Sequence, residues 1–266
     1  MKGPLKKIPD NLVNEFTMND KIPVLNYFFD ESKFISMEYT WDLKYIAIFL
    51  FNYTKEKIEN NKYQLKEIWP NGGEPYPDHR IGGACKLIQE ALNKYIVTNK
   101  SVGVIGSTSP WIESILVNNN AKKVTTVEYN IPKCNFYKFN FMRYYEDFKN
   151  KKEKFDIIIS YSSIEHSGLG RYGDILDPDG DKKTLDDIYE NLEDHGFLFL
   201  GIPVGKDALV WNANRIYGSI RLPYILEKFE IIEWIGCTLE EALKLPKGFD
   251  WKSCYQPIII LKKIKY

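Results

Sequence analysis

The 266-residue sequence has no excess charge of either sign and no long apolar run, and these absences exclude whole classes of protein. Its 36 Lys and Arg residues balance 36 Asp and Glu residues, so no general field draws it to nucleic acid or to an anionic membrane. The longest apolar run, residues 45–51, is too short to span a bilayer, and no apolar segment of a secretion signal follows the basic start. We therefore expect a cytoplasmic protein with no nucleic-acid partner and no membrane span.

Cysteine and histidine are also scarce. The four cysteines are widely spaced, with no C-x-x-C pair and no neighbouring histidine at the spacing of a zinc site. We expect reduced, intracellular thiols and no bound metal.

The chain is long enough for one large core plus an appendage. Residues 1–80 are irregular and rich in proline, with one amphipathic helical segment at 36–59 and a Gly- and Pro-rich turn at 70–77. We predict an N-terminal appendage or cap over residues 1–80 and one main domain over residues 81–266.

From residue 101 onward, apolar strands alternate with amphipathic helices, which is typical of an α/β fold with a parallel sheet covered on both faces. The last two predicted strands have no full helix between them, so we expect an antiparallel pair at one edge of the sheet. The predicted strands are 102–106, 123–128, 135–142, 155–161, 197–202, 229–235 and 257–264, and the predicted helices among them are 110–118 and 183–192.

The turn after the first of these strands and the acid that ends the second form a pair. Gly106 permits close approach of a ligand to the backbone, Ser109 is suited to cap the next helix, and Pro110 suits its first position. Glu128 follows Gly106 by about twenty residues, where nucleotide-binding folds place a carboxylate on the ribose hydroxyls. Alone, each has a plain structural explanation. Together they predict a nucleoside-cofactor site.

Glu165 and His166 follow the fourth strand of the main domain, and ligands of open α/β sheets bind at this end of the strands. An imidazole titrates near neutrality, so His166 is a candidate base for a hydroxyl acceptor, with Glu165 orienting it. The alternative is a histidine packed under the cofactor.

Two further polar segments are candidates for binding the acceptor. The glycine-rich loop at 168–174 contains Arg171, Tyr172 and Asp174, and Arg171 is available as an anion clamp. The segment after the fifth strand offers side chains able to hold a sugar or phosphate-bearing acceptor, and these are Asn212, Asn214, Arg215 and Tyr217. For Arg215 and Tyr217 the alternative is a structural role at the sheet edge.

The acidic turn at 177–181 contains three aspartates, the chemistry of a calcium or magnesium loop. It lacks the spacing of an EF-hand, and a helix follows directly. We therefore favour a simple turn in which Asp181 caps that helix, and a metal site is the less favoured alternative.

With these motifs in hand, the chain resembles a family catalogued as domain of unknown function 268, which is similar to class I S-adenosylmethionine-dependent methyltransferases. The matching blocks are Val104–Glu113, Ala121–Asn130, Ser160–Asp174, Pro203–Asp207 and Asn214–Gly218. The pattern departs from that of the wider class in its glycine turn, which is reduced to a single glycine.

The resemblance implies a Rossmann-like sheet of seven strands that ends in an antiparallel hairpin, with S-adenosylmethionine as cofactor. It places the turn formed by Gly106, Ser107, Thr108 and Ser109 against the methionine part, Glu128 on the ribose, and Asp147 at the adenine. It also implies that Ser162 and Ser163 lie along the cofactor.

These observations predict a methyltransferase that acts on a small polar acceptor, with a hydroxyl of a sugar or surface-glycan precursor as the best candidate. The alternative is a non-catalytic module that retains the fold and binds a glycan or nucleotide sugar.

Overall fold

The computed structural model describes residues 4–60, 81–150, 153–244 and 256–264. Strands in this part of the chain are β1 (Val24–Leu25), β2 (Thr40–Trp41), β3 (Ser101–Ile105), β4 (Lys123–Glu128), β5 (Lys133–Cys134), β6 (Phe139–Arg143), β7 (Phe155–Tyr161), β8 (Leu192–Gly201), β9 (Ala208–Val210), β10 (Asn214–Ile216), β11 (Phe229–Ile235) and β12 (Ile258–Lys263). Helices are α1 (Val13–Phe16), α2 (Leu43–Asn52), α3 (Lys55–Glu59), α4 (Ile81–Lys94), α5 (Trp111–Asn118), α6 (Gly180–Asn191), α7 (Arg221–Ile225) and α8 (Leu239–Leu243).

Seven strands form the main sheet in the order β11-β12-β8-β7-β3-β4-β6. Neighbours from β8 to β6 pair in parallel, whereas β12 is antiparallel to both β8 and β11. The fold class predicted from the sequence is confirmed, including the antiparallel pair at one edge. The bounds differ in places, because β6 begins only at Phe139 and β8 already begins at Leu192.

The central strands are apolar on both sides because helices cover both faces of the sheet. On one face, Ile88 of α4 and Ile115 of α5 pack into the same cluster as Val104 of β3. On the other face, Ile188 of α6 packs into a cluster with Ile158 of β7. The strand ends that form the site are therefore fixed by two separate apolar layers.

The N-terminal region is attached to the sheet at several places. Asn118 Nδ2 of α5 donates to the carbonyl oxygens of Leu50 and Tyr53, at 2.9 and 3.0 Å, and so ties α2 to the sheet's helix layer. Strand β1 adds in parallel to the small β9–β10 sheet, and β2 pairs with β5. The segment predicted as one helix divides into α2 and α3, since Thr54 caps α3.

The division at residue 80 remains a prediction, because residues 61–80 lie outside the described part of the chain. Cys254 also lies outside it, whereas Cys85, Cys134 and Cys237 are free thiols. Within the described ranges, no helix has the length and apolar character needed to cross a membrane.

Candidate functional site

The loops that follow β3, β4 and β7 enclose an open cavity at the carboxyl edge of the sheet. Its space is ≈ 680 Å³ with the open mouth included. Because these three strands are parallel neighbours, their carboxyl ends meet at one place. The lining residues are Ile105, Gly106, Thr108, Val127, Glu128, Tyr129, Tyr144, Ser162, Ser163, His166, Ser167, Tyr172, Asp174 and Thr184.

Gly106 forms the turn that leaves β3. Its φ is +73°, and a Cβ at this position would lie 2.0 Å from Ser163 Oγ, so any larger residue is excluded. Its N–H donates to the Val127 carbonyl oxygen at 3.1 Å, which brings the ends of β3 and β4 together. Thr108 lines the cavity, whereas Ser107 is buried beneath it.

The predicted cap at Ser109 requires a correction. Helix α5 begins at Trp111, with Pro110 in the N-cap position and no side chain capping the helix. The Ser109 carbonyl oxygen instead accepts from Trp111 N at 2.8 Å and from Ser107 Oγ at 2.9 Å. A backbone carbonyl and a buried serine thus fix the turn where the sequence predicted a capping side chain.

Glu128 ends β4 and faces the cavity, although only 7% of the residue is exposed. Its Oε2 accepts from the N–H of Tyr129 at 3.0 Å. Burial raises the pKa of Glu128 to about 7. The structure therefore brings Gly106 and Glu128, which the sequence singled out as a pair, into one cavity.

Ser162 and Ser163 follow β7 and both line the cavity. Ser162 has a φ of +54°, a left-handed conformation that its N–H stabilises by donating to the Gly201 carbonyl oxygen at 2.9 Å. Its hydroxyl donates to Glu165 Oε1 at 3.0 Å.

His166 faces the cavity with one ring nitrogen fixed. Nδ1 lies 2.5 Å from the Ala213 carbonyl oxygen, which only accepts, so Nδ1 carries the proton and Nε2 is the free acceptor. Burial, with the charge of Arg171, lowers the pKa of His166 to about 3. The ring is therefore neutral at physiological pH.

The structure corrects the predicted role of Glu165, because the Ala213 carbonyl, not Glu165, orients the His166 ring. Glu165 is 1% exposed and does not line the cavity. Its Oε1 lies 3.7 Å from His166 Nε2, and its Oε2 has no hydrogen-bond partner among the described residues. Burial raises the pKa of Glu165 to about 7.

Within the glycine-rich loop, Tyr172 and Asp174 line the cavity and Arg171 does not. The Tyr172 ring packs edge-on against His166, with ring centroids 5.7 Å apart. Asp174 accepts from the backbone N–H groups of three residues of its own loop, at 2.8 to 3.3 Å. Burial raises the pKa of Asp174.

Arg171 is engaged by the N-terminal region. Its Nε donates to Glu31 Oε2 at 2.5 Å, one guanidinium nitrogen donates to the Ala213 carbonyl oxygen at 3.3 Å, and the guanidinium lies 4.5 Å from the centre of the Phe29 ring. The predicted anion clamp is thus occupied by residues of this chain.

Arg215 and Tyr217 lie behind the site, which corrects their predicted place at the acceptor. Both are buried, and both contact Asp181, which accepts from Tyr217 Oη at 3.0 Å and lies 3.5 Å from Arg215 Nε. Arg215 also donates to the carbonyl oxygens of Ser167 and Pro178, at 2.6 and 3.2 Å. These bonds hold the 167–178 loop in place.

Asp181 lies inside α6 and does not cap it. The N-cap position belongs to Asp179, whose side chain makes no capping bond. Arg221 donates to both oxygens of Asp181, at 2.8 and 2.6 Å. Burial by itself would raise the pKa of Asp181, but the charges of Arg215 and Arg221 outweigh it and hold that pKa below its usual value.

Asn212 and Asn214 also lie away from the cavity lining. The buried Asn212 side chain accepts from Phe29 N at 2.7 Å and donates to the Phe29 carbonyl oxygen at 2.5 Å. Asn214 Nδ2 donates to the Arg215 carbonyl oxygen at 3.1 Å. Asn212 therefore anchors the N-terminal region, where the sequence predicted contact with an acceptor.

Asp147 was predicted to lie at the adenine, but the structure places it outside the cavity lining, as it does Ser107 and Ser109. It belongs to a single π-helical turn, Tyr144–Phe148, and its Oδ2 accepts from Arg143 N at 3.1 Å. The lining includes six residues that were not predicted as site residues, and these are Ile105, Val127, Tyr129, Tyr144, Ser167 and Thr184. Tyr129 directly follows Glu128, so its position at a strand end was a usable signal.

The acidic turn is held by internal bonds. Asp177 accepts from Asp179 N at 3.0 Å and pairs with Lys183 at 2.6 Å. Throughout the described residues, no three His, Cys, Asp or Glu side chains are grouped so that they could hold a metal ion.

The order and directions of the seven strands, with β12 antiparallel between β8 and β11, define the class I methyltransferase fold. The chain belongs to the family described as Caenorhabditis protein of unknown function, DUF268, whose model matches residues 99–263. No curated protein matches the chain.

Similar solved structures include the 1,6-didemethyltoxoflavin-N1-methyltransferase of Burkholderia thailandensis, solved with S-adenosylhomocysteine. It is 12% identical, with a TM-score of 0.49 over 84% of this chain and 90% of that one. The N-methyltransferase NodS of Bradyrhizobium japonicum is 14% identical, with a TM-score of 0.46 over 80% and 100%. A putative methyltransferase of Streptococcus mutans is 15% identical, with a TM-score of 0.46 over 71% of this chain and 49% of that one.

Proposed function

We propose that the protein is an S-adenosylmethionine-dependent methyltransferase that acts on a hydroxyl of a small, uncharged polar acceptor, such as a sugar or a surface-glycan precursor. The observation that carries the proposal is the placement of the Glu128 carboxyl and the Gly106 turn in one open cavity at the carboxyl edge of the sheet. S-adenosylmethionine, when bound, supplies an activated methyl group on a sulfonium sulfur.

The residues present fit this cofactor. A carboxylate has about four lone-pair positions. In Glu128, the backbone N–H groups of Tyr129 and Ser107 occupy two of them. Because the side chain lines the cavity, the remaining lone pairs are available to two ribose hydroxyls. Gly106 keeps the adjacent wall free of a side chain.

On the acceptor side, the free Nε2 of His166 accepts a hydrogen bond from the acceptor hydroxyl and orients its oxygen. With a pKa of about 3, the imidazole is too weak a base to ionise a free hydroxyl. The hydroxyl becomes strongly acidic as its oxygen gains the methyl group, so the proton passes to Nε2 at that stage. The Glu165 carboxyl lies 3.7 Å from Nε2 and stabilises the resulting imidazolium in its ionised form, which predominates above its raised pKa of about 7.

The charges of the cavity support an uncharged acceptor. Among the described residues, those that line it include two acids, Glu128 and Asp174, and no Lys or Arg. The charges of Arg171 and Arg215 both act on His166, but these two cations are already paired with Glu31 and Asp181 respectively. A phosphate group on the acceptor would therefore enter without a counter-charge.

The alternative, a binding module without activity, draws support from the low basicity of His166. Calorimetric titration with S-adenosylmethionine and S-adenosylhomocysteine is the first test. Absence of binding by the folded protein would contradict the proposed methyltransferase.

His166→Ala separates the two functions. An enzyme should lose turnover by about 10²–10⁴-fold while its affinity for S-adenosylhomocysteine stays within about twofold. His195→Asn is the matched control, because His195 is exposed at the opposite end of β8 and has a φ of +67°, a conformation that asparagine tolerates. A His166→Ala variant with full turnover would contradict the assigned role.

A further inference from the structure

We propose that Glu113, which touches neither cavity nor ligand, is a protonated positioning residue that fixes the Gly106 turn and Glu128 for cofactor binding. The inference rests on the proposed function. It concerns a side chain of α5 that is 0% exposed and absent from the cavity lining.

Glu113 links the turn after β3 to the interior of β4. Its Oε1 accepts from Thr126 Oγ1 at 2.7 Å, and its Oε2 lies 3.1 Å from Ser107 Oγ. The backbone N–H of Ser107 in turn donates to the Glu128 carboxyl. Ser107 therefore connects Glu113 to the carboxyl proposed to hold the ribose.

The hydrogen bonds around Ser107 indicate the protonation state of the Glu113 carboxyl. The Ser107 hydroxyl has one proton and two oxygens within reach, Glu113 Oε2 and the Ser109 carbonyl oxygen at 2.9 Å. A carbonyl oxygen can only accept, so Ser107 donates to Ser109 and Glu113 must donate to Ser107. Each of the two short contacts has a proton of its own only when Glu113 is protonated.

The electrostatic surroundings agree with this assignment. Among the described residues, the titratable groups on which the charge of Glu113 acts include Glu128 from β4, Tyr39 from the N-terminal region and Cys134 from β5, and all three are acids. Burial raises the pKa of Glu113 to about 7. An ionised Glu113 would repel Glu128 and lose its donor bond to Ser107.

Glu113→Gln and Glu113→Ala test the proposal by titration with S-adenosylhomocysteine. The glutamine amide donates to Ser107 and its carbonyl oxygen accepts from Thr126, so Glu113→Gln should bind within about twofold of the wild type. Glu113→Ala leaves Ser107 and Thr126 without this partner and should bind about tenfold more weakly. Ser114→Ala is the matched control on α5, because the buried Ser114 hydroxyl has no partner among the described residues.

A double-mutant cycle distinguishes positioning from general loss of structure. If Glu113 acts through Ser107, Ser107→Ala combined with Glu113→Ala should bind no more weakly than the weaker single variant. Additive losses would show another route and overturn the proposal. Thermal melting of each variant confirms that it is folded at the titration temperature.

Infrared difference spectroscopy reads the proton directly. At about pH 6, one unit below the raised pKa, the wild type should show a protonated carboxyl band that Glu113→Gln lacks. Absence of that band overturns the proposal. Failure of the wild type to bind S-adenosylhomocysteine overturns the proposed function and this inference with it, whereas tight binding by Glu113→Ala overturns the inference alone.

Discussion

The two halves of the candidate site differ in whether their predicted polar residues face the cavity or the protein interior. The half proposed for the cofactor, called the cofactor half, consists of the turns after β3 and β4, where Gly106 and Glu128 face the cavity. The half proposed for the acceptor includes the segment after β8, where Asn212, Arg215 and Tyr217 are turned into the protein. Polar residues that follow strands thus face the cavity in one half and form internal hydrogen bonds in the other.

The acids of the molecule differ in the same way. Burial raises the pKa values of Glu113, Glu128 and Glu165 to about 7. Asp181, in contrast, has a lowered pKa because Arg215 and Arg221 surround it. Buried acids without a cation lie at or next to the cavity, and the acid with two cations holds the loop behind it.

Asp181→Ala tests the supporting role and should have the largest effect. It leaves Arg215 and Arg221 buried without a counter-charge, so the free energy of unfolding should fall by about 3–5 kcal/mol. Urea denaturation measures it. Asp177→Ala removes a partly exposed pair with Lys183 and the bond from Asp179 N in the same turn, and it should cost about 1–2 kcal/mol. Equal losses in the two variants would contradict the assignment.

Glu165→Gln tests the acids beside the cavity through the pH dependence of stability. With a folded-state pKa of about 7 and an unfolded value near 4.5, Glu165 keeps its proton in the folded state while the unfolded chain releases it. Stability contributed by this group is thus complete below about pH 4.5 and falls as the pH rises to about 7.

Glutamine removes this loss, so the variant should gain on the order of 3 kcal/mol over the wild type at about pH 8 and nothing at about pH 4. Denaturant titrations across this range measure the difference. Glu56→Gln, on the exposed surface of α3, is the matched control. A gain that is the same at every pH would contradict the explanation.

The sheet and the positions of Gly106 and Glu128 at the cavity could be predicted from the sequence because their signals are local. Strand periodicity placed β3 and β4, and the end of each strand placed Gly106 and Glu128. Asn212, Arg215 and Tyr217 could not be placed, since their partners lie far away in the chain, Asn212 pairing with Phe29 and the other two with Asp181.

His166 shows the same limit at closer range. Its position after β7 was predictable, but the orientation of its ring depends on a backbone carbonyl 47 residues away, that of Ala213. No pattern of side chains in the sequence indicates a backbone carbonyl as the partner of this ring. The adjacent Glu165 was therefore wrongly predicted to orient it.

Titration of Glu128→Gln with S-adenosylhomocysteine, beside the wild type, tests the central claim most directly. Loss of charged hydrogen bonds to the ribose should cost about 1.5–3 kcal/mol of binding, or about 10–150-fold in affinity, with folding retained. Asp147→Asn, outside the cavity lining, should bind within about twofold of the wild type. Unchanged affinity in folded Glu128→Gln would contradict the cofactor site.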